Sequence, residues 1–358
     1  MPNSPQEFKH TDDVRRYLDR IYDEGHRRYT CRAINADEFQ SWQQPAREAL
    51  RELIGLPVIA STIDPDVSPK LIWESAEEDL EGYTRRKGRL MTEPDVGVPF
   101  WRLKPKGGGP FPLCLTPHGH ESHGIDSYVG IFHNEKERRR FEEENGDVAV
   151  QAVRKGFLVI APATRGLGCF GLPDLWGRFG NRDCRSHMLH CLVAGRTAIG
   201  ERVWDMGRFI DFAVRDPEVN EEEILMMGNS GGGMVTLYSA ACDDRIGTAI
   251  PSCAFSMFVR SEGYLSHCDC NTVPGILKFG EFFDIAGLIA PRNLLVVNGR
   301  YDQLHRPVDV DRALAGLRRI FNAAGAGDRF QSAYGEGGHR FYSDLMWPFV
   351  TLAKRKGM

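Results

Sequence analysis

Apolar positions in the early part of the chain recur at three- and four-residue intervals, with Trp42, Ala46, Ala49, Leu50, Leu53 and Ile54 forming one stripe that ends near Gly55 and Pro57. The spacing predicts a helical extension over residues 1–70. From Lys70 to about Pro105 the pattern shortens to strand-like pieces such as Pro99-Phe100-Trp101-Arg102-Leu103, and Gly107-Gly108-Gly109-Pro110 then forms a turn. An antiparallel sheet edge is expected there. After Pro110, apolar runs alternate with helical patterns: Leu113 to Thr116, Phe157 to Ile160, Ile224 to Met227, Thr248 to Ile250, Asn293 to Val297 and Phe330 to Tyr334. Short apolar runs separated by helices predict βαβ units and a mostly parallel sheet buried on both faces. The clearest helix carries Ile199, Val203, Met206, Ile210 and Val214 on one stripe, directly before the strand at Ile224. Residues 256–283 fit neither template and are expected to form a small cap inserted in a catalytic domain spanning 71–358.

Composition changes this picture little. The 358 residues are 42% hydrophobic and 26% charged, which is ordinary globular usage. With 45 basic and 49 acidic residues the net charge is -4, so no overall field draws the protein to nucleic acid or an anionic membrane. A small, near-neutral substrate fits better, and a homo-oligomer is compatible. Nine cysteines rule out a fully paired disulfide framework and favour a reducing compartment. No run of about 18 apolar residues occurs and the first ten residues have no apolar signal core, so a cytoplasmic location is expected.

The chemistry is carried by glycine-flanked loops. A serine hydroxyl needs a base, a group orienting that base, and donors for the developing oxyanion. Gly228-Asn229-Ser230-Gly231-Gly232 follows the apolar run Ile224 to Met227 and precedes a helical stretch, which is the strand–turn–helix context of a nucleophile elbow with Ser230 as nucleophile. A Cβ at Gly228 or Gly232 would collide with the neighbouring strand or helix. Asp302 follows the apolar run at Asn293 and is the expected acid, with Asp309 and Asp311 as rivals on the next helix. His339, in the loop Gly335-Glu336-Gly337-Gly338-His339, is the expected base, with His305 as its rival. The loop Pro117-His118-Gly119-His120 is placed to supply a second oxyanion donor at His120, beside that of Gly231. His118, His120 and His123, and separately His267-Cys268-Asp269-Cys270, hold closely spaced metal-capable side chains, but neither has a paired C-x-x-C spacing and no metal is expected.

Together with Arg165-Gly166-Leu167-Gly168, Gly195-Arg196-Thr197, Glu201 to Asp205, His267 to Asn271 and Gly337 to Phe341, these motifs resemble the acetylxylan-esterase-like branch of the α/β-hydrolases, related to dienelactone hydrolases. The similarity runs from about Trp101 to the C-terminus. It implies an α/β-hydrolase fold and ester hydrolysis through Ser230, Asp302 and His339, commonly on acetylated carbohydrate, without a cofactor. The deacetylase relatives have Arg-Gly-Gln where this chain has Arg165-Gly166-Leu167, and an aromatic residue at the position of His120. Arg165 could hold a polar substrate or bond loop carbonyls, and Trp176 could stack on a sugar ring or anchor the core. Of these residues, His118, Arg165 and Trp176 are the candidate substrate contacts. The expected partner is a small-molecule or carbohydrate ester. A serine peptidase and a non-catalytic hydrolase-like binding protein are the alternatives.

Overall fold

The structure is a computed structural model, and it describes residues 12–23, 27–64, 68–178, 180–260 and 265–355. Ten strands make one sheet: β1 (Lys70–Trp73), β2 (Glu78–Leu80), β3 (Tyr83–Glu93), β4 (Val96–Pro105), β5 (Phe111–Leu115), β6 (Leu158–Pro162), β7 (Val219–Asn229), β8 (Thr248–Ser252), β9 (Asn293–Gly299) and β10 (Phe330–Gly335). Their order is β1-β3-β4-β6-β5-β7-β8-β9-β10, with β2 paired to β3 outside this path. The pairings of β1, β2, β3 and β4, including β4 with β6, are antiparallel; those from β6 through β5, β7, β8 and β9 to β10 are parallel. The change falls where the alternating pattern before Pro105 gives way to continuous apolar runs. Every residue of β6, β8 and β9 is buried, so both faces of the parallel half must be covered.

Two sets of helices provide that cover. One comprises Val148–Arg154 and Ser343–Arg355, linked by the hydrogen bond from Trp347 Nε1 to Gln151 Oε1 at 2.9 Å. The other comprises Ala198–Ala213, Gly231–Cys242, Phe282–Gly287 and Pro307–Ala323. The helix that starts at Gly231 is buried along its whole length, which is why its sequence is apolar all round rather than striped.

The early stripe forms the helix Ala36–Leu53, capped by Asn35, whose side chain accepts from the Glu38 amide at 3.0 Å. Ala46, Leu50 and Ile54 enter the main core, while Arg47 donates to the carbonyls of Ala241 and Leu288. Gly55, at φ 87°, ends this element and leads into the short helix Leu56–Ala60, which the sequence reading lacked. The helix Ala36–Leu53 therefore braces the second set of helices, while residues 1–11, 24–26 and 65–67 of the expected extension lie outside the described residues.

Strand order fixes where a site can lie. The chain passes from β5 to β6 on one side and returns to β7 on the other, so the carboxyl ends of β5 and β7 flank a topological switch point. Ligands of open parallel sheets bind in that crevice. The loop 117–120 leaves β5 there, and Ser230 leaves β7 there.

Candidate active site

Ser230 stands between β7 and its helix with φ 56° and ψ -120°, a conformation that costs an L-residue free energy and persists only when its surroundings impose it. Three glycines around it are required by close packing. A Cβ on Gly228 would lie 2.5 Å from the Gly232 backbone, one on Gly232 would lie 2.0 Å from the Pro117 carbonyl, and one on Gly119 would lie 2.8 Å from the Asn229 carbonyl. The loop after β5 is thus pressed against the elbow. The Ser230 amide is held by the Ser252 carbonyl at 2.9 Å, tying the elbow to the end of β8.

Asp302 and His339 meet at the carboxyl ends of β9 and β10. Their loops are joined because the amides of Arg300 and Tyr301 donate to the Gly335 and Gly337 carbonyls at 2.9 and 2.8 Å. His339 Nδ1 donates to Asp302 Oδ2 at 2.7 Å, and the Leu304 amide donates to Asp302 Oδ1 at 2.8 Å. Burial alone would raise the Asp302 carboxyl, but the hydrogen bond from His339 and the other donors outweigh it and hold it below the usual carboxylate range. His339 Nε2 is buried and has no hydrogen-bond partner among the described residues. Ser230 and His339 line the same cleft, whose volume is about 840 Å³.

The rivals are engaged elsewhere. Asp311 accepts from the Tyr334 hydroxyl at 2.7 Å, and Asp309 lies buried against Arg306 at 3.6 Å. His305 also lines the cleft, with its ring centroid 6.0 Å from that of His339, and burial pushes its imidazole down to about 3, which keeps it neutral. Cys253, beside Asp302 and His339, stays a protonated thiol because burial pushes it up to about 12.

None of the three candidate substrate contacts lines the cleft. The His118 ring is buried and accepts from the Thr164 amide at Nε2 (3.0 Å) while donating from Nδ1 to the Gly119 carbonyl (2.8 Å), so it fastens the loop after β5 to the end of β6. Burial lowers it to about 4, so this neutral tautomer is the stable one. Arg165 is enclosed by carboxylates, with Asp205 and Glu93 at 2.5 Å and Glu201 at 3.3 Å, which makes it the hub of a buried ion cluster and not a ligand at the mouth. Trp176 is 90% exposed and is neither a core anchor nor part of the cleft wall.

The cleft has a wall that was not specified residue by residue. Arg260, His267, Cys268 and Asn271 reach it from residues 256–260 and 265–283, which lie between β8 and β9. Arg182 and Asp183 reach it from the start of the helix Asp183–Val193. In the sequence His267, Cys268 and Asn271 stand out as part of a metal-capable and family-like motif, whereas Arg260 carries no signal beyond lying in a segment that fits neither a helix nor a strand. His120 also lines the cleft, and its ring Nδ1 would lie 3.2 Å from a Cβ built on Gly231.

The comparisons agree with this architecture. No family model matches the chain. A provisionally named hydrolase, YtaP of Bacillus subtilis (strain 168), is 27% identical over 172 residues, which are 46% of this chain and 57% of the relative, less than two thirds of its length. A provisionally named acetyl xylan esterase from Bacteroides fragilis NCTC 9343 superposes with a TM-score of 0.72 at 18% identity, covering 96% of this chain and 86% of that one. The methylesterase BT1017 superposes with a TM-score of 0.67 at 20% identity over 93% of this chain and 68% of its own. The protein has the α/β-hydrolase fold of these esterases, as the resemblance in its motifs implied.

Proposed function

We propose that this protein is a serine carboxylic ester hydrolase acting on short-chain acyl esters, with acetylated carbohydrate as the favoured substrate class. The observation that carries the reading is the 2.7 Å bond from His339 to Asp302, which leaves the buried Nε2 of His339 open in the cleft that holds the strained Ser230. His339 Nε2 takes the Ser230 proton as Oγ attacks the acyl carbonyl. Asp302 fixes the imidazole with its proton on Nδ1 and stabilises the imidazolium that forms. The amides of Gly231 and His120 receive the charge of the tetrahedral oxygen. The imidazolium then protonates the departing alcohol, and water repeats the cycle on the acyl-enzyme. None of these steps requires a metal or an organic cofactor.

The esterase names of both solved structures support ester over amide as the scissile bond. The polar wall supports a hydroxylated alcohol portion, since Glu121, Arg182, Arg260 and Asn271 supply donors and acceptors around the serine. The test is a panel of p-nitrophenyl acetate, longer p-nitrophenyl esters, acetylated sugars, sugar methyl esters and peptide amides. Acetyl esters are expected to turn over fastest, with acetylated sugars giving the higher kcat/KM. Cleavage of peptide amides with inert acetyl esters would establish the peptidase instead.

A further inference from the structure

Three cysteines and a histidine from separate parts of the chain converge at the edge of the cleft. His120 comes from the loop after β5, Cys184 from the helix Asp183–Val193, and Cys268 and Cys270 from the segment between β8 and β9. Their ligand atoms all lie within 4.8 Å of one another, and Cys270 Sγ is 3.3 Å from His120 Nε2. A zinc–thiolate bond of about 2.3 Å and a zinc–imidazole bond of about 2.0 Å put the corners of a tetrahedron roughly 3.5–3.8 Å apart. The four donors are already gathered on that scale. We propose that His120, Cys184, Cys268 and Cys270 form a closed, tetrahedral structural site for a zinc ion, which clamps the loop after β5 to the segment covering the cleft.

The surroundings suit such an ion better than four independent side chains. On binding, three thiols release their protons to solvent and His120 binds through Nε2, so no oxidant is involved and the centre carries one net negative charge. Arg202 is fully buried with Nη1 3.6 Å from Cys270 Sγ, and its Nη2 has no hydrogen-bond partner among the described residues. A buried guanidinium beside neutral thiols is poorly compensated; beside a zinc–trithiolate it offsets the charge. Leu167, Met188, Cys191 and Ala198 pack around Cys184 and Cys270 as a small second core, keeping that side of the site dry. The Cys270 amide donates to Asp269 Oδ1 at 3.1 Å and Arg185 binds Asp269 Oδ2 at 2.5 Å, so the turn carrying two of the sulfurs is itself anchored by bonds that loss of the thiol protons leaves intact. With all four positions taken by protein, the metal has no open site for water or substrate and acts on geometry alone. It would hold the His120 ring against Gly231, where the helix after Ser230 begins.

The test is metal analysis of the full chain, purified under reducing conditions without a chelator or a histidine tag, and read independently of hydrolysis. About one zinc per chain is expected, falling at least tenfold in Cys184→Ser and Cys270→Ser and unchanged in Cys242→Ser, which alters a buried cysteine outside the cluster. Should the serine variants fail to fold, the unaltered protein decides the matter. Exchange of its metal for cobalt is expected to give the charge-transfer absorption of several thiolates and the visible bands of a tetrahedral ion. A reduced protein that neither contains zinc nor takes it up on titration would overturn the proposal, as would mapping a disulfide among Cys184, Cys268 and Cys270. Zinc without ester hydrolysis would leave the site standing and remove only the esterase reading.

Discussion

At the scale of single residues the elbow leaves no room for a side chain where its glycines stand. Gly232→Ala would place a methyl group 2.0 Å from the Pro117 carbonyl, and because both partners are backbone the loop after β5 must move. Loss of about 1–3 kcal/mol or more is expected by denaturant unfolding, together with reduced turnover, since the displaced loop carries His120. Asp302→Asn should lower kcat by roughly 10⁴-fold by holding the imidazole in the wrong tautomer, whereas Asp311→Asn, whose partner is Tyr334, should stay within a few-fold of the parent. Ser230, Asp302 and His339 stand out in the sequence because each follows an apolar run and sits in a glycine-bearing turn, and the structure gathers those turns at the carboxyl ends of β7, β9 and β10. Arg165 and Trp176 could not be placed that way. Their surroundings come from residues distant in the chain, Glu93 and Asp205 for the one and open solvent for the other.

At the scale of elements, periodicity was sufficient for the parallel strands and the helix Ala198–Ala213, whose residues Ile199, Val203, Met206 and Ile210 are all buried. It also found the early helix, but not what that helix does, because its partners lie at Ala241 and Leu288. Leu50 is fully buried there, so Leu50→Ala is expected to cost about 2–5 kcal/mol while leaving kcat unchanged, as the helix is remote from the cleft. A fall in kcat matching the fall in stability would show instead that this helix shapes the site. His120, Cys268 and Cys270 stand out in the sequence as metal-capable, but their convergence with one another and with Cys184 was illegible for a related reason. Spacing rules recognise ligands that are neighbours in sequence, and here one helix contributes a single sulfur. Leu167 and His120, the two positions that depart from the motif pattern the sequence resembles, both belong to this corner: one packs against Cys184 and Cys270, and the other meets Cys270.

For the molecule as a whole, the buried ion cluster ties the antiparallel strands to the parallel half, since Glu93 ends β3 while Arg165 follows β6. Its member Glu201 sets a pH limit. Burial would raise this carboxyl, but the hydrogen bond from His187 and the charges of Arg165 and Arg196 bring it down to about 2. A carboxyl lower in the folded than in the unfolded chain contributes stability above the unfolded value of 4.5, and that contribution is lost as the pH falls toward 2. The contribution is on the order of 3 kcal/mol. Thermal unfolding followed from pH 6 to pH 3 should therefore show a fall in Tm that is shallower in Glu201→Gln, although that variant starts from a lower Tm. Among the described residues no helix is long and apolar enough to cross a membrane. In the proposed acyl transfer the attacking atom is Ser230 Oγ. The most direct test of that role is the kcat of Ser230→Ala on p-nitrophenyl acetate, measured beside the parent protein with folding verified by circular dichroism: a loss of about 10⁴-fold or more is predicted, and turnover equal to the parent would contradict it.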